Sequence, residues 1–276
     1  MAGTYQKIIN LMPPHESYFE PFLGGGAIMR LKRPAAVENF GCDLAASQVE
    51  AVAAQIARGA AGELIVLKDG GSGHVRNGDG RSLGIVDARR RVLYQFDARC
   101  GLAFLESAAF SRRDLIYCDP PYLLSSRASQ RGRYAHELSD VDHLRLLRVL
   151  LASPAMVMIS GYHTSLYAEM LEGWNSIHFE AMTRGGHTAT EWLWFNYPAP
   201  VELHDYRFLG TGFRERERIK RKQARWVARL ARMPLLERQA LLSAIAVIAA
   251  PSPAAGRSGT PPAPPGLDLL GSGLVP

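Results

Sequence analysis

Short apolar runs alternate with amphipathic segments along the chain, and this pattern predicts strands that alternate with helices in an α/β fold. Residues 115–118 are apolar and β-prone, which is typical of a buried strand. Residues 156–160 predict another buried strand, and residues 176–182 and 190–196 predict an antiparallel hairpin. Ser139 follows a leucine and precedes an acid, so it is predicted to cap a helix.

An acid, two prolines and an aromatic ring follow the strand at 115–118, as Asp119, Pro120, Pro121 and Tyr122. Because neither proline has an N–H group, the carbonyls of Asp119 and Pro120 face outward at a stiff turn. The Asp119 carboxylate and the Pro120 carbonyl can each accept one N–H of an exocyclic amine. Tyr122 can stack on the ring that carries this amine. The alternative is a strand that ends in a simple proline turn.

Residues 18–28 predict a strand, a glycine-rich turn and a helix. The glycines allow a ligand to approach the backbone, although the spacing is neither G-x-G-x-x-G nor that of a phosphate loop. The next predicted strand, within 36–44, ends at Asp43. Doubly wound folds place an acid near this position on ribose hydroxyls. A helix cap is the alternative for Asp43, and the two roles are compatible.

Composition and net charge limit the class of protein to which the chain can belong. The chain has 276 residues, and its 47% hydrophobic share supports one large domain with appendages. The three cysteines are scattered and fit no metal spacing, so a reduced, cytoplasmic protein without a bound metal is expected. No apolar run is long enough to span a membrane. The net charge of +6 favours a polyanionic partner.

The positive charge is concentrated in two segments. In residues 123–137, basic and aromatic side chains are predicted to contact phosphate and a base, the candidates being Arg127, Arg131, Arg133 and Tyr134. After residue 206, a run of arginines and lysines that includes Lys220 and Arg221 predicts a basic helix that contacts DNA. A solvated loop and a solvated helix face are the alternatives. Residues 235–249 predict a helix that docks on the body or on a second subunit of a homodimer.

The glycine stretch E-P-F-x-G-G-G, the acid that ends the next strand and the D-P-P-Y sequence together resemble the D12 (Dam-like) class of adenine-N6 DNA methyltransferases, especially its phage and prophage members. The resemblance covers about residues 5–198. It implies an S-adenosylmethionine-dependent methyltransferase (Rossmann-like) sheet with a terminal antiparallel hairpin. The implied domain covers 1–205, followed by a basic helical extension at 206–250 and a disordered tail at 251–276.

The resemblance also implies S-adenosylmethionine as cofactor, double-stranded DNA as partner, and methyl transfer to N6 of an adenine flipped from the duplex. The implied catalytic residues are Asp119, Pro120, Pro121 and Tyr122. The implied cofactor-binding residues are Lys7, Glu20, Pro21, Phe22, Gly24, Gly26, Asp43, Cys100 and Asp119. Similar members often have Asp where Cys100 stands, so Asp97, one turn earlier, is the alternative at the cofactor adenine.

Between Asp43 and Cys100 the family normally inserts its DNA-reading domain, here reduced to about residues 58–85. The sequence predicts a helix at 45–57, a glycine-rich loop at 68–81 and a further helical stretch that ends at Tyr94. The loop, which carries Arg76, is either a base-contacting hairpin or a plain connector. Rival functions are methylation of cytosine N4, of RNA or of a protein glutamine, and DNA binding by a module that has lost turnover.

Overall fold

The structure, a computed structural model of the 276-residue chain, describes residues 4–60, 63–67, 82–87, 92–123, 137–182 and 188–249. Strands and helices alternate along the first two thirds of the chain. The strands are β1 (Ser17–Glu20), β2 (Glu38–Asp43), β3 (Glu63–Leu67), β4 (Ser82–Asp87), β5 (Val92–Ala98), β6 (Asp114–Cys118), β7 (Met156–Gly161), β8 (Asn175–Met182) and β9 (Thr188–Phe195). The helices are α1 (Thr4–Ile9), α2 (Ala27–Leu31), α3 (Ala46–Ala60), α4 (Gly101–Ser107), α5 (Asp140–Ala152), α6 (Ser165–Met170), α7 (Phe213–Ala231) and α8 (Leu235–Ala249).

The described strands form one mixed sheet in the order β3-β4-β5-β2-β1-β6-β7-β9-β8. Strands β5, β2, β1, β6 and β7 are parallel, whereas β9 is antiparallel to β7 and β8 is antiparallel to β9. Without the β3–β4 pair, this is the S-adenosylmethionine-dependent methyltransferase (Rossmann-like) sheet with its terminal antiparallel hairpin. The predicted fold class is therefore confirmed.

The strand order reverses between β1 and β6, because β2 and β5 lie on one side of this pair and β7 lies on the other. Open α/β sheets bind ligands at such a switch point, beyond the carboxyl ends of the strands. Glu20 ends β1 and Asp119 directly follows β6. The topology thus places the glycine stretch and the D-P-P-Y sequence side by side at the edge where a ligand is expected.

Each face of the sheet carries its own hydrophobic layer. Helices α1, α2 and α3 pack on one face against β-strand residues such as Tyr18 and Tyr117. Helices α4, α5 and α6 pack on the other face against residues such as Phe19 and Phe40. Tyr18 and Phe19 are neighbours in β1 and face opposite layers, as the pleat of a strand requires. Both layers are fully buried at the strands that carry the site.

Helix α5 begins where the sequence predicts it. The Ser139 hydroxyl accepts a hydrogen bond from the Asp142 amide at 3.2 Å, and the Asp142 carboxylate accepts one from the Ser139 amide at 3.1 Å. This capping box satisfies amides that the first helical turn leaves without partners. The predicted cap is confirmed, and it fixes the position of the two preceding residues, Glu137 and Leu138.

The segment between α3 and Cys100 differs from the prediction. Strand β5 is parallel to β2, β4 is antiparallel to β5, and β3 is antiparallel to β4. The predicted helical stretch that ends at Tyr94 is therefore wrong. Pairing with β2 buries Tyr94 and Phe96 on one face of the sheet, and this pairing with a distant strand outweighs the local preference of the segment. Arg76 and the loop at 68–81 lie outside the described residues.

The chain divides into two compact units, Met1–Arg216 and Glu217–Pro276. Helices α7 and α8 confirm the two helices predicted beyond residue 206. Helix α7 has no buried residue, and α8 exposes large apolar side chains such as Leu236 and Ile248. The tail at 251–276 lies outside the described residues. Among the helices that the structure describes, none combines the length and the apolar character needed to cross a membrane.

Candidate functional site

The glycine turn after β1 is held in a fixed shape. Gly24 and Gly26 have φ angles of 47° and 59°, which side chains rarely tolerate. A Cβ atom on Gly26 would also lie 2.6 Å from Cγ1 of Val52 in α3. The Leu23 amide donates to the Cys42 carbonyl at 2.9 Å, which ties the turn to β2. The backbone of the turn is therefore exposed to a ligand without side chains in front of it.

Asp43, at the end of β2, joins the glycine turn to the start of α3. Its Oδ2 accepts a hydrogen bond from the Gly24 amide at 2.9 Å, and its Oδ1 accepts one from the Ala45 amide at 3.0 Å. The carboxylate thus lies near the helix start, as the capping alternative requires. Each oxygen keeps a lone pair that can accept a further hydrogen bond. Ribose binding stays a prediction that is compatible with this geometry.

A second glycine, Gly101, sets how closely α4 approaches the turn. A Cβ atom at this position would lie 1.9 Å from the Pro21 carbonyl oxygen, so glycine is required here. The sequence analysis did not single out Gly101, although its place at the start of a helix next to Cys100 was a usable signal. Gly101 thus allows the start of α4 to pack directly against the turn after β1, and this close packing shapes the pocket between them.

The pocket at the switch point lies between the glycine turn after β1, the start of α4 and the residues that follow β6 and precede α5. It is lined by Pro21, Phe22, Gly24, Asp43, Leu44, Cys100, Gly101, Asp119, Pro121, Glu137 and Leu138. The sequence analysis predicted seven of these residues as site residues and missed Leu44, Gly101, Glu137 and Leu138. The last two directly precede the Ser139 cap of α5.

Cys100, rather than Asp97, lines this pocket. Asp97 is 1% exposed, and its carboxylate forms an ion pair with Arg99 at 2.5 Å. A carboxylate paired in this way has its charge compensated inside the protein. Of the two alternatives for the cofactor adenine, Cys100 is the residue whose side chain borders the pocket.

Asp119 lines the pocket and is accessible to solvent there. Desolvation by the surrounding protein raises the pKa of Asp119 to about 6, while a hydrogen bond with Tyr122 acts in the opposite direction. Pro120 is buried, and the Tyr122 ring packs edge-on against the Tyr162 ring with 4.7 Å between centroids. A carboxylate, a fixed turn and two aromatic rings therefore meet at the end of β6.

Glu20 lies beneath the site, is 2% exposed and does not line the pocket. Its Oε2 accepts a hydrogen bond from the Tyr18 hydroxyl at 2.9 Å. Burial raises the pKa of Glu20 to about 8, partly offset by Tyr18 and by the Lys32 ammonium. Burial in turn lowers the pKa of Lys32 to about 7. The Asp119 carboxylate acts in the same direction as burial, so Glu20 is influenced by both Lys32 and Asp119.

The remaining predicted residues lie elsewhere. Lys7 is exposed on α1, with its ammonium 4.7 Å from the centroid of the Phe179 ring in β8, and does not line the pocket. Lys220 and Arg221 are exposed on α7, where Lys220 pairs with Glu217 at 3.3 Å. Their predicted roles stay predictions. The other DNA-binding candidates, Arg76, Arg127, Arg131, Arg133 and Tyr134, lie outside the described residues.

In the part of the chain that is described, His, Cys, Asp and Glu form no group that could hold a metal ion.

No protein-family model matches the chain, and no curated protein sequence matches it. Three solved structures show a distant likeness, and in each case 70% of this chain is covered. The N-methyltransferase NodS from Bradyrhizobium japonicum WM9 is 8% identical, with 93% of its chain covered and a TM-score of 0.43, and an rRNA methylase from Streptococcus thermophilus is 7% identical, with 93% of its chain covered and a TM-score of 0.40. A SAM-dependent methyltransferase from Agrobacterium tumefaciens is 12% identical, with 59% of its chain covered and a TM-score of 0.41. Identities and TM-scores this low identify neither a family nor a substrate. The fold class rests on the strand order.

Proposed function

We propose that this protein transfers a methyl group from S-adenosylmethionine to N6 of adenine in double-stranded DNA. The observation that carries the proposal is the place of Asp119-Pro120-Pro121-Tyr122, which follows β6 at the switch point. Asp119 and Pro121 border the same pocket as Gly24 and Asp43. The turn proposed to bind the amine and the turn proposed to bind the cofactor therefore border one pocket.

The residues of the pocket fit S-adenosylmethionine. When bound, this cofactor supplies a methyl group on a positively charged sulfur. The left-handed glycines leave backbone open beside the pocket, and the two Asp43 oxygens retain lone pairs for ribose hydroxyls. Phe22, Leu44 and Leu138 offer apolar contact for an adenine ring. Cys100 takes the position where similar proteins often carry Asp.

The acceptor amine is bound by the residues after β6. The Asp119 carboxylate and the Pro120 carbonyl each accept one N–H of the amine, which aims the nitrogen lone pair at the methyl group. Tyr122 stacks on the ring that carries the amine. Because these atoms are inaccessible within a duplex, the target nucleotide must rotate out of the base stack. Positioning and electrostatics supply most of the acceleration, since no strong base is required.

Double-stranded DNA is the proposed partner, and the sign of the charge supports it. The net charge of the chain is +6, and α7 alone carries a long run of arginines and lysines on an exposed helix. Phosphate contacts of this kind supply affinity without sequence preference.

The proposal is tested by expressing the protein in a bacterial host that lacks DNA methylation and sequencing the genome with long reads. N6-methyladenine within a short motif is the expected result, and a strain that carries Asp119→Ala should show none. Methylation at N4 of cytosine would replace the adenine assignment. An unmethylated genome, combined with absence of S-adenosylmethionine binding in calorimetry, would overturn the proposed activity.

A further inference from the structure

A carboxyl group that the proposed reaction does not yet use lies close to Asp119. Glu191 belongs to β9 and is 7% exposed. Within the described ranges it makes no hydrogen bond and no ion pair. Its side chain is mostly buried, whereas its carboxyl oxygens are not fully shielded from solvent, so they are available to a charge that forms nearby. The sequence offers no hint of this carboxyl group, because Glu191 lies in an unremarkable strand far from Asp119.

The sheet register places Glu191 on the side of the acceptor. Gly161 of β7 pairs with Trp192, and continuing this register by one residue brings Tyr162 opposite Glu191. The Tyr162 ring in turn packs against Tyr122. Because side chains alternate along a strand, Glu191 shares a face with Leu193, which packs in the same layer as Tyr117 of β6. Asp119 follows β6 two residues beyond Tyr117, so the same alternation, continued past the end of the strand, assigns it to this face.

Electrostatic interactions agree with this placement. Burial and the Asp119 carboxylate together raise the pKa of Glu191 to about 7. Burial raises the pKa of Tyr117 as well, with Asp119, Glu20 and Glu191 contributing in the same direction. The three carboxyl groups therefore all act electrostatically on Tyr117, whose hydroxyl is hydrogen-bonded to Ser160 at 3.0 Å.

We propose that Glu191 is a second carboxylate of the acceptor side, which acts with Asp119 to stabilise the positive charge that forms on the acceptor amine. The inference rests on the proposed function. As the amine nitrogen gives its electron pair to the methyl carbon and the carbon–sulfur bond breaks, the positive charge moves from sulfur to nitrogen, and the nitrogen then releases one proton. A carboxylate beyond Asp119 stabilises this charge most where it forms.

Several charged or titratable groups face Glu191 and act on its ionisation. Asp119 and Tyr117 lie on β6, and Tyr162 follows β7. Lys7 on α1 places its ammonium over Phe179, which is the cross-strand partner of Glu191 in β8. Lys7 is exposed, so water screens its attraction, and the amino terminus of the chain also lowers the pKa of Glu191. The sum of these interactions keeps the Glu191 carboxyl protonated in acid and ionised above neutral pH.

The first experiment measures the single-turnover rate of methyl transfer against pH for the parent and for Glu191→Gln, which keeps the shape and removes the charge. In the parent the rate should rise as pH passes through about 7, where Glu191 ionises. In Glu191→Gln the rate at pH 8 should fall about tenfold, and the rise should move toward the pKa of Asp119. Affinities for S-adenosylmethionine and for DNA should stay unchanged.

The control is Glu180→Gln, which changes an exposed acid of the same hairpin and should keep the parent's rate and pH profile. An unchanged rate and profile in Glu191→Gln, with the parent active, would overturn the role of Glu191 and leave the proposed function standing. A parent that methylates no DNA would overturn both.

A second experiment does not depend on activity. Carbon-13 carboxyl signals of labelled glutamates are titrated by NMR, and the signal missing from Glu191→Gln is assigned to Glu191. Its midpoint should lie near 7 in the parent and should fall in Asp119→Asn, because a neighbouring negative charge is removed. A midpoint at the ordinary value of 4.5, or one that Asp119→Asn leaves in place, would remove the electrostatic coupling on which the inference depends.

Discussion

The two walls of the site are built in different ways. The wall formed by the glycine turn, Asp43 and Gly101 is fixed by backbone geometry, since both Asp43 oxygens accept amide hydrogen bonds and Gly101 touches Pro21. The wall formed by Asp119 and Pro121 instead carries a carboxyl group with a raised pKa, and the pKa of the Glu191 carboxyl behind it is raised as well. Under the proposed function, the difference teaches that one wall recognises shape and the other stabilises the charge that forms on the acceptor amine.

The sharpest test of this comparison is Asp119→Ala. Removing this carboxylate should lower the rate of methyl transfer by about a thousandfold, because the amine loses both a hydrogen-bond acceptor and a charge-stabilising group. Affinity for S-adenosylmethionine should change far less, since the wall with the glycine turn is untouched. Single-turnover kinetics and calorimetry measure the two effects. Asp140→Ala, at an exposed position in the first turn of α5, should leave both unchanged. A folded Asp119→Ala protein with retained activity would contradict the assignment.

Tyr122→Ala tests whether the wall with the carboxyl groups also captures the base. Loss of one base–aromatic stack should weaken binding of target DNA by about tenfold, while cofactor affinity stays within about twofold. Tyr122→Phe keeps the ring and loses the hydrogen bond to Asp119, so it should bind DNA normally and shift the acid limb of the rate to higher pH. Fluorescence anisotropy with target DNA measures the affinity. Equal losses of cofactor and DNA affinity in Tyr122→Ala would argue against stacking.

Gly101→Ala addresses the wall fixed by backbone geometry. The added Cβ atom would collide with the Pro21 carbonyl, so unfolding should become easier by about 2 kcal/mol and cofactor affinity should fall. Gly59→Ala is a matched control, because Gly59 lies in α3 with nothing near its Cβ position. That change should stabilise the protein slightly, by about 0.5 to 1 kcal/mol. Urea unfolding and calorimetry compare the variants. Equal stability in both would show that the two turns do not depend on this close contact.

How much of the protein could be predicted from sequence depended on whether the signal was local. The turn after β1, the acid that ends β2 and the D-P-P-Y sequence were found because strand, turn and helix signals lie next to each other in the chain. Ser139 was found for the same reason. These local patterns also led to the fold class, through a resemblance rather than through any signal of strand pairing.

The features that were missed depend on contacts between distant segments. Strand β4 and the first residues of β5 lie in the stretch predicted as helical, because their pairing with other strands is not visible within their own residues. Gly101 is required only because Pro21 lies against it. Glu191 lies on the side of the sheet that carries the D-P-P-Y sequence through the order β6-β7-β9, which the sequence pattern alone does not specify. Non-local contacts therefore define the part of the site that local patterns leave out.

The smallest expected effect concerns α7, which lies outside both walls. Replacing Lys220 and Arg221 by serine should weaken DNA binding only a few-fold and lower the dependence of affinity on salt by about two phosphate contacts. Methyl transfer at saturating DNA should not change, because neither wall is altered. Anisotropy titrations over a series of salt concentrations give the slope.

The control for α7 removes the same charge elsewhere. Arg112 and Arg113 precede β6 and so lie at its amino end, across the sheet from the pocket, and Arg113 pairs with Glu16 at 2.8 Å. Replacing these two arginines by serine should leave the salt slope nearly as in the parent. If both double variants lower the slope equally, affinity follows the net charge of the protein, and α7 has no specific part in binding phosphate. If only the α7 variant lowers it, phosphate contacts are local to this helix, and DNA affinity is separate from the chemistry that the two walls carry out.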